Sequence, residues 1–163
     1  MVYLSAQSLS MIKDQEFLYG AAFVKLINSR DQITITHASG IHNSLYLVET
    51  DSTKSAVLFK LSTQPKSPWP FSFSDGEESA LDRLKHDYSR VSQFLALVCH
   101  KDGICCLAID EQGLWSVLDR KAPLSGQRIS VARRPRGSYH VSGPGKQQME
   151  QTVPQLNWPR IVL

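Results

Sequence analysis

A chain of 163 residues, 42% hydrophobic and 20% charged, is long enough to bury the core of one compact domain. Its longest apolar runs, 94–99 and 104–109, are far short of the ~20 residues that cross a bilayer, and no basic stretch leads into an apolar one at the amino terminus, so neither a membrane span nor a secretion signal is expected. The net charge of +3 is unevenly spread: residues 1–119 hold ten Lys/Arg against fourteen Asp/Glu, whereas residues 120–163 hold eight against Glu150 alone.

In chain order, Ile12, Phe17, Leu18, Ala21, Ala22 and Leu26 recur at helical spacing and predict a first helix ending near residues 28–30. Residues 32–37 alternate and are rich in β-branched side chains, turn residues occupy 38–44, and 45–49 and 55–63 read as two more strands. Short polar loops between the three predict an antiparallel meander, because parallel neighbours need a long crossover. Residues 64–73 carry three prolines, which rules out a central strand; the segment reads as a rigid connector whose aromatics close over the core. Its Pro68, Trp69 and Pro70 are alternatively a protein-interaction element. Ser74 with Glu77 three residues on is a capping box, and Leu81, Leu84, Tyr88, Val91 and Phe94 follow at helical spacing.

The runs 94–99 and 104–109 flank Asp102-Gly103, a hairpin signal, and both are apolar on each face, which predicts a central pair covered on both sides. Residues 111–118 suggest a short helix or turn and 128–131 a further strand, while the segment from about 132 is basic, rich in Gly and Pro, and weakly periodic. The expected fold is a single α+β domain: a three-strand antiparallel meander, a helix and a strand hairpin in a mixed sheet flanked by helices.

The order helix, three-strand meander, helix, strand pair, with Lys60 on the third strand, resembles the core of the PD-(D/E)XK, or restriction-endonuclease-like, superfamily. The resemblance implies a metal-dependent nuclease in which an acid near the second strand and an acid two residues before the lysine hold Mg2+ or Mn2+, and the lysine positions the attacking water. Glu49 and Lys60 would be the catalytic residues on that reading, with Asp51 and Glu16 as further carboxylates. Leu58 occupies the position of the second acid and offers no ligand, and helix acids Glu77, Glu78 and Asp82 read as solvated.

Cys99, Cys105 and Cys106 lack disulfide-framework spacing and a second pair of zinc ligands, so they are expected to be buried packing residues in a reducing, cytoplasmic setting, with no metal. The basic segment combines Arg133, Arg134 and Arg136 with Tyr139 and Lys146, a set suited to phosphates and bases, but Gln147 after Lys146 breaks any Walker pattern. The leading expectation is a catalytically degenerate macromolecular-binding module, without a cofactor, whose partner is nucleic acid or a nucleic-acid-processing protein. The alternatives are the nuclease and a protein-interaction subunit.

Overall fold

The structure, a computed structural model, describes residues 12–29, 32–145 and 151–163. Its elements in order are α1 (Asp14–Ile27), β1 (Thr34–His37), β2 (Leu45–Glu49), β3 (Lys54–Ser62), β4 (Trp69–Ser72), α2 (Asp75–Asp87), β5 (Ser92–Cys99), β6 (Gly103–Ala108), α3 (Leu114–Val117), β7 (Arg128–Arg133), β8 (Tyr139–Ser142) and β9 (Gln151–Val153), closed by a 3-10 turn over Arg160–Val162. A five-stranded mixed sheet runs β1-β2-β3-β5-β6, and a second, antiparallel sheet runs β4-β7-β8-β9. Only the β3–β5 pair is parallel in the first sheet, because α2 lies in the crossover between them.

Both faces of the five-stranded sheet are covered. On one, Val57, Phe59, Ala96 and Cys106 pack under Leu18, Tyr19, Ala22 and Leu26 of α1 and under Trp158 and Val162 of the chain's end. On the other, Leu58, Leu95, Leu97 and Cys105 meet Leu81 and Leu84 of α2 and the inner face of the second sheet, Phe71, Ile129, Val131, Tyr139 and Val141. This double cover explains the continuous apolar runs of β5 and β6. It also corrects one expectation: β5 is central, whereas β6 is an edge whose faces, not its hydrogen-bonding side, are buried.

The α+β class and the mixed sheet match the sequence reading, but the second sheet is new. Of its strands, four, six, four and three residues long, only β7 stands out in the sequence, as the strand expected over 128–131; the others are too short to show a period. The connector containing Pro70 proves to be an edge strand, the position in which a sheet tolerates proline. At the β5–β6 turn, Cys99 pairs with Gly103 and Lys101 takes a φ of 57°, so the loop is 100–102 rather than one centred on Asp102-Gly103. Gly103 is needed for another reason: a Cβ there would stand 2.5 Å from the Tyr139 hydroxyl.

All three cysteines are buried, Cys99 and Cys105 on the face toward the second sheet and Cys106 toward α1. Burial pushes each thiol far above its ordinary value of 9.0. A thiol reagent should therefore leave the folded chain unmodified and label three groups after denaturation; rapid labelling of the native protein would contradict this packing. Burial likewise raises Tyr139 above its ordinary 10.0. The unfolded chain releases these protons near the ordinary values while the folded chain keeps them, so stability is intact below pH 9 and falls as pH rises beyond it. Denaturation midpoints measured between pH 8 and 11 check the sign.

Candidate functional site

Lys60 projects from β3 where that strand overhangs β2, whose last register pair is Leu45 with Leu58. Its ammonium donates to Glu77 Oε2 at 2.5 Å and to the Ser72 carbonyl at 2.6 Å, and lies 5.1 Å from the centre of the Phe73 ring. Both side chains are about nine-tenths buried, at 10% and 9% exposure. Glu77 is fixed by the capping box that starts α2: its Oε1 accepts from the Ser74 backbone and hydroxyl at 3.0 Å each, while its own N–H donates to Ser74 Oγ at 3.2 Å. Nearby, Tyr19 of α1 donates to Ser44 Oγ and to the Phe59 carbonyl. Burial, and less strongly the Glu77 carboxylate, hold Tyr19 above its usual range.

These contacts revise the reading of Lys60 and Glu77. Glu77, expected to be solvated, is buried, because the first turn of α2 tips it toward the lysine rather than outward. Glu49 is elsewhere: it pairs with Lys54, six residues before Lys60 and so about 20 Å away along the strand, and its carboxylate contacts Lys54 at 3.4 Å. Glu16 accepts from the Lys13 N–H at the start of α1, and Glu78 accepts from the Leu124 and Ser125 N–H groups. Leu58 is fully buried in the core. Among the described residues no cluster of three His, Cys, Asp or Glu side chains is arranged to hold a metal ion. Lys60 and Glu77 consequently form a buried pair, with two of the three ammonium donors engaged by protein acceptors and both carboxylate oxygens of Glu77 hydrogen-bonded.

A second arrangement lies beyond the carboxyl ends of the parallel strands β3 and β5. Three loops meet there, 64–68 after β3, 100–102 after β5 and 134–138 between β7 and β8, and enclose a groove of about 390 Å³. Its lining includes Lys66, Lys101, Arg134 and Arg136, all exposed, with Arg136 held at a φ of 62°. Asp102 supplies the single carboxylate of the lining, and it is already engaged by Arg133 at 2.9 and 2.5 Å and by the Tyr139 hydroxyl at 2.9 Å. Arg133 also reaches Gln155 and stacks over Tyr139, 5.3 Å from the ring centre, while its backbone N–H donates to Ser67 Oγ. Among the described residues the buried Nδ1 of His100, also in the lining, has no hydrogen-bond partner.

The residues expected to bind thus divide by role. Arg134 and Arg136 face solvent in the groove. Arg133 and Tyr139 are fixing residues, the latter 1% exposed, and Lys146 lies outside the described residues. Trp69 is 3% exposed and donates its indole N–H to the Gln64 carbonyl, so this side chain is a core anchor and not an exposed handle; Pro68 is exposed beside it and Pro70 is half-buried in β4. Sequence reasoning missed Lys66, Lys101 and Asp102 because they are distant in sequence from the arginines and only the topology joins them.

A larger groove of about 750 Å³ lies between α2, the start of β5 and α3, but Asp82, Asp110 and Glu111 there face Lys85, Arg90 and Arg120, so it favours neither sign of charge. Among the described residues no helix is long and apolar enough to cross a membrane. No family model, curated protein or solved structure matches the chain.

Proposed function

We propose that this chain is a catalytically degenerate nucleic-acid-binding module that grips phosphate groups in the groove between the three loops. The observation that carries this reading is the charge balance there. Four exposed cations from three loops converge, and the sole carboxylate in the lining is neutralised by Arg133. Among the described residues none of the four cations has a carboxylate partner, and such exposed positive charge attracts a polyanionic backbone.

The aromatic residues refine the ligand. Trp69 in the groove lining and Tyr139 behind Asp102 are both buried, so among the described residues no Phe, Tyr or Trp ring of the groove offers bases a stacking platform. Single-strand binders draw about 1–3 kcal/mol per base from such stacking. A surface without it reads the backbone, and the phosphates of a duplex are the better fit. The element order of α1, the meander, α2 and β5–β6 supports the resemblance to the PD-(D/E)XK group, and the closed Lys60–Glu77 pair supports a degenerate member. No cleavage is expected with magnesium or manganese.

Fluorescence anisotropy with a labelled duplex and with one of its single strands tests the proposal. The intact chain should bind the duplex at low salt, and the four-site alanine variant of Lys66, Lys101, Arg134 and Arg136 should remain folded and bind at least ~30-fold more weakly. Losing four phosphate contacts should flatten the log–log salt dependence by about 3–4. Absence of binding by the intact chain at low salt, or unchanged binding by the folded variant, removes the proposal. Preference for the single strand would refute the duplex assignment.

A further inference from the structure

Two non-glycine residues among those described hold a left-handed backbone, and both are cations of the groove: Lys101 at a φ of 57° and Arg136 at 62°. A Cβ is crowded against the following carbonyl in that conformation, so a long side chain is strained where glycine would be at ease. Such residues persist where the surrounding structure over-determines the turn that contains them. Lys101 lies in the β5–β6 turn, closed by the Asp102 N–H donating to the Cys99 carbonyl at 3.0 Å. Arg136 lies in the β7–β8 turn, closed by the Gly137 N–H donating to the Arg134 carbonyl at 2.9 Å.

Asp102 joins the two turns. Its carboxylate accepts from Arg133 Nε at 2.9 Å and Nη2 at 2.5 Å, and from the Tyr139 hydroxyl at 2.9 Å. Arg133 and Tyr139 are the last register pair before the β7–β8 turn, so one carboxylate of the first turn grips both stems of the second. The Arg133 backbone N–H extends the clasp to the third loop, where it donates to Ser67 Oγ beside Lys66 at 2.9 Å. Among the described residues none of the four exposed cations is held by an ion pair of its own, so the placing of their stems falls to this clasp.

We propose, on the groove reading above, that Asp102 is the groove's positioning residue: through Arg133 and Tyr139 it holds the turns of Lys101 and Arg136 in one array, and so favours anion binding although it is itself an anion. Coulomb's law alone gives the opposite sign, because a carboxylate in the lining repels phosphate. The contacts of Arg133 decide for positioning. This side chain is 16% exposed, stacks over Tyr139 and also reaches Gln155, so leaving Asp102 for a phosphate would break three contacts at once.

Asp102→Asn in the full chain tests the sign. The amide keeps the shape and removes the negative charge, but its nitrogen cannot accept, so the two-oxygen fork with Arg133 is lost. In the anisotropy titration with the labelled duplex, the folded variant should bind at least ~5-fold more weakly than the parent, with a log–log salt dependence flatter by about 1–2 as two phosphate contacts loosen. Asp82→Asn, which removes an exposed carboxylate from the larger groove and raises the net charge equally, should leave binding unchanged. Arg133→Lys keeps the charge without the fork and should also weaken binding, and it carries the test where Asp102→Asn does not fold. A folded Asp102→Asn chain that binds as tightly as the parent or more tightly overturns the positioning role while the four-cation groove stands. Parental affinity in Arg133→Lys overturns it equally. Absence of duplex binding by the intact chain removes the groove reading and this role together.

Discussion

Replacing Glu77 by alanine is expected to destabilise the fold by about 3–5 kcal/mol, the usual cost of leaving one member of a buried ion pair uncompensated. Lys60 is only 10% exposed and would retain one protein acceptor, the Ser72 carbonyl. The substitution also removes the reciprocal half of the α2 capping box, because the Ser74 N–H donates to Glu77 Oε1. Lys60→Met should cost less. It leaves the carboxylate with both Ser74 donors and at the amino end of a helix, where negative charge is favoured. The double variant Lys60→Met with Glu77→Gln should recover much of the loss, since it leaves no unpaired charge. Urea denaturation of the parent and the three variants measures each cost. A Glu77→Ala protein within about 1 kcal/mol of the parent would show that water reaches the pair, contrary to its burial.

That pair also shows where sequence reading stops. The meander, its antiparallel pairing, the capping box at Ser74 and the β5–β6 hairpin were legible because each is set by neighbours within about ten residues: alternation, turn chemistry or a cap. Lys60 with Glu77 was not, because helix acids are ordinarily solvated and nothing local indicates that α2 begins above the overhang of β3. The second sheet was missed for a related reason. Its strands are short, one contains a proline, and their apolar positions acquire meaning only when β4 and β7 meet across more than fifty intervening residues. The groove divides in the same way: Arg134 and Arg136 were visible as a basic cluster, whereas the neutralisation of Arg133 by Asp102 depends on the β5–β6 turn reaching the β7–β8 turn.

Leu58→Asp, the substitution that would supply the missing acid of the nuclease pattern, is expected to unfold the chain instead of creating a metal site. Leu58 is fully buried, in register between Leu45 and Leu95 on the face covered by α2 and the second sheet. Removing a buried leucine side chain costs about 2–5 kcal/mol through lost burial and the cavity left behind, before any charge is considered. A carboxylate there adds several kcal/mol more in desolvation, or protonates and forfeits the ability to hold a cation. Together these approach the roughly 5–15 kcal/mol stability of a typical domain. Lys60 cannot compensate, since its ammonium is turned toward Glu77 and Ser72. Leu58→Met, which conserves volume, should cost under about 1.5 kcal/mol and serves as the control. Thermal melts of both variants, with magnesium- and manganese-supplemented cleavage assays on whatever remains folded, decide the matter. If Leu58→Asp melts close to the parent and cleaves DNA only with metal, the Lys60 centre is one residue short of a nuclease, and the reading of Leu58 as indispensable core and of Lys60 with Glu77 as a closed pair fails. Aggregation or loss of the cooperative transition in Leu58→Asp, beside a well-folded Leu58→Met, would mean that position 58 belongs to the core and cannot host a carboxylate.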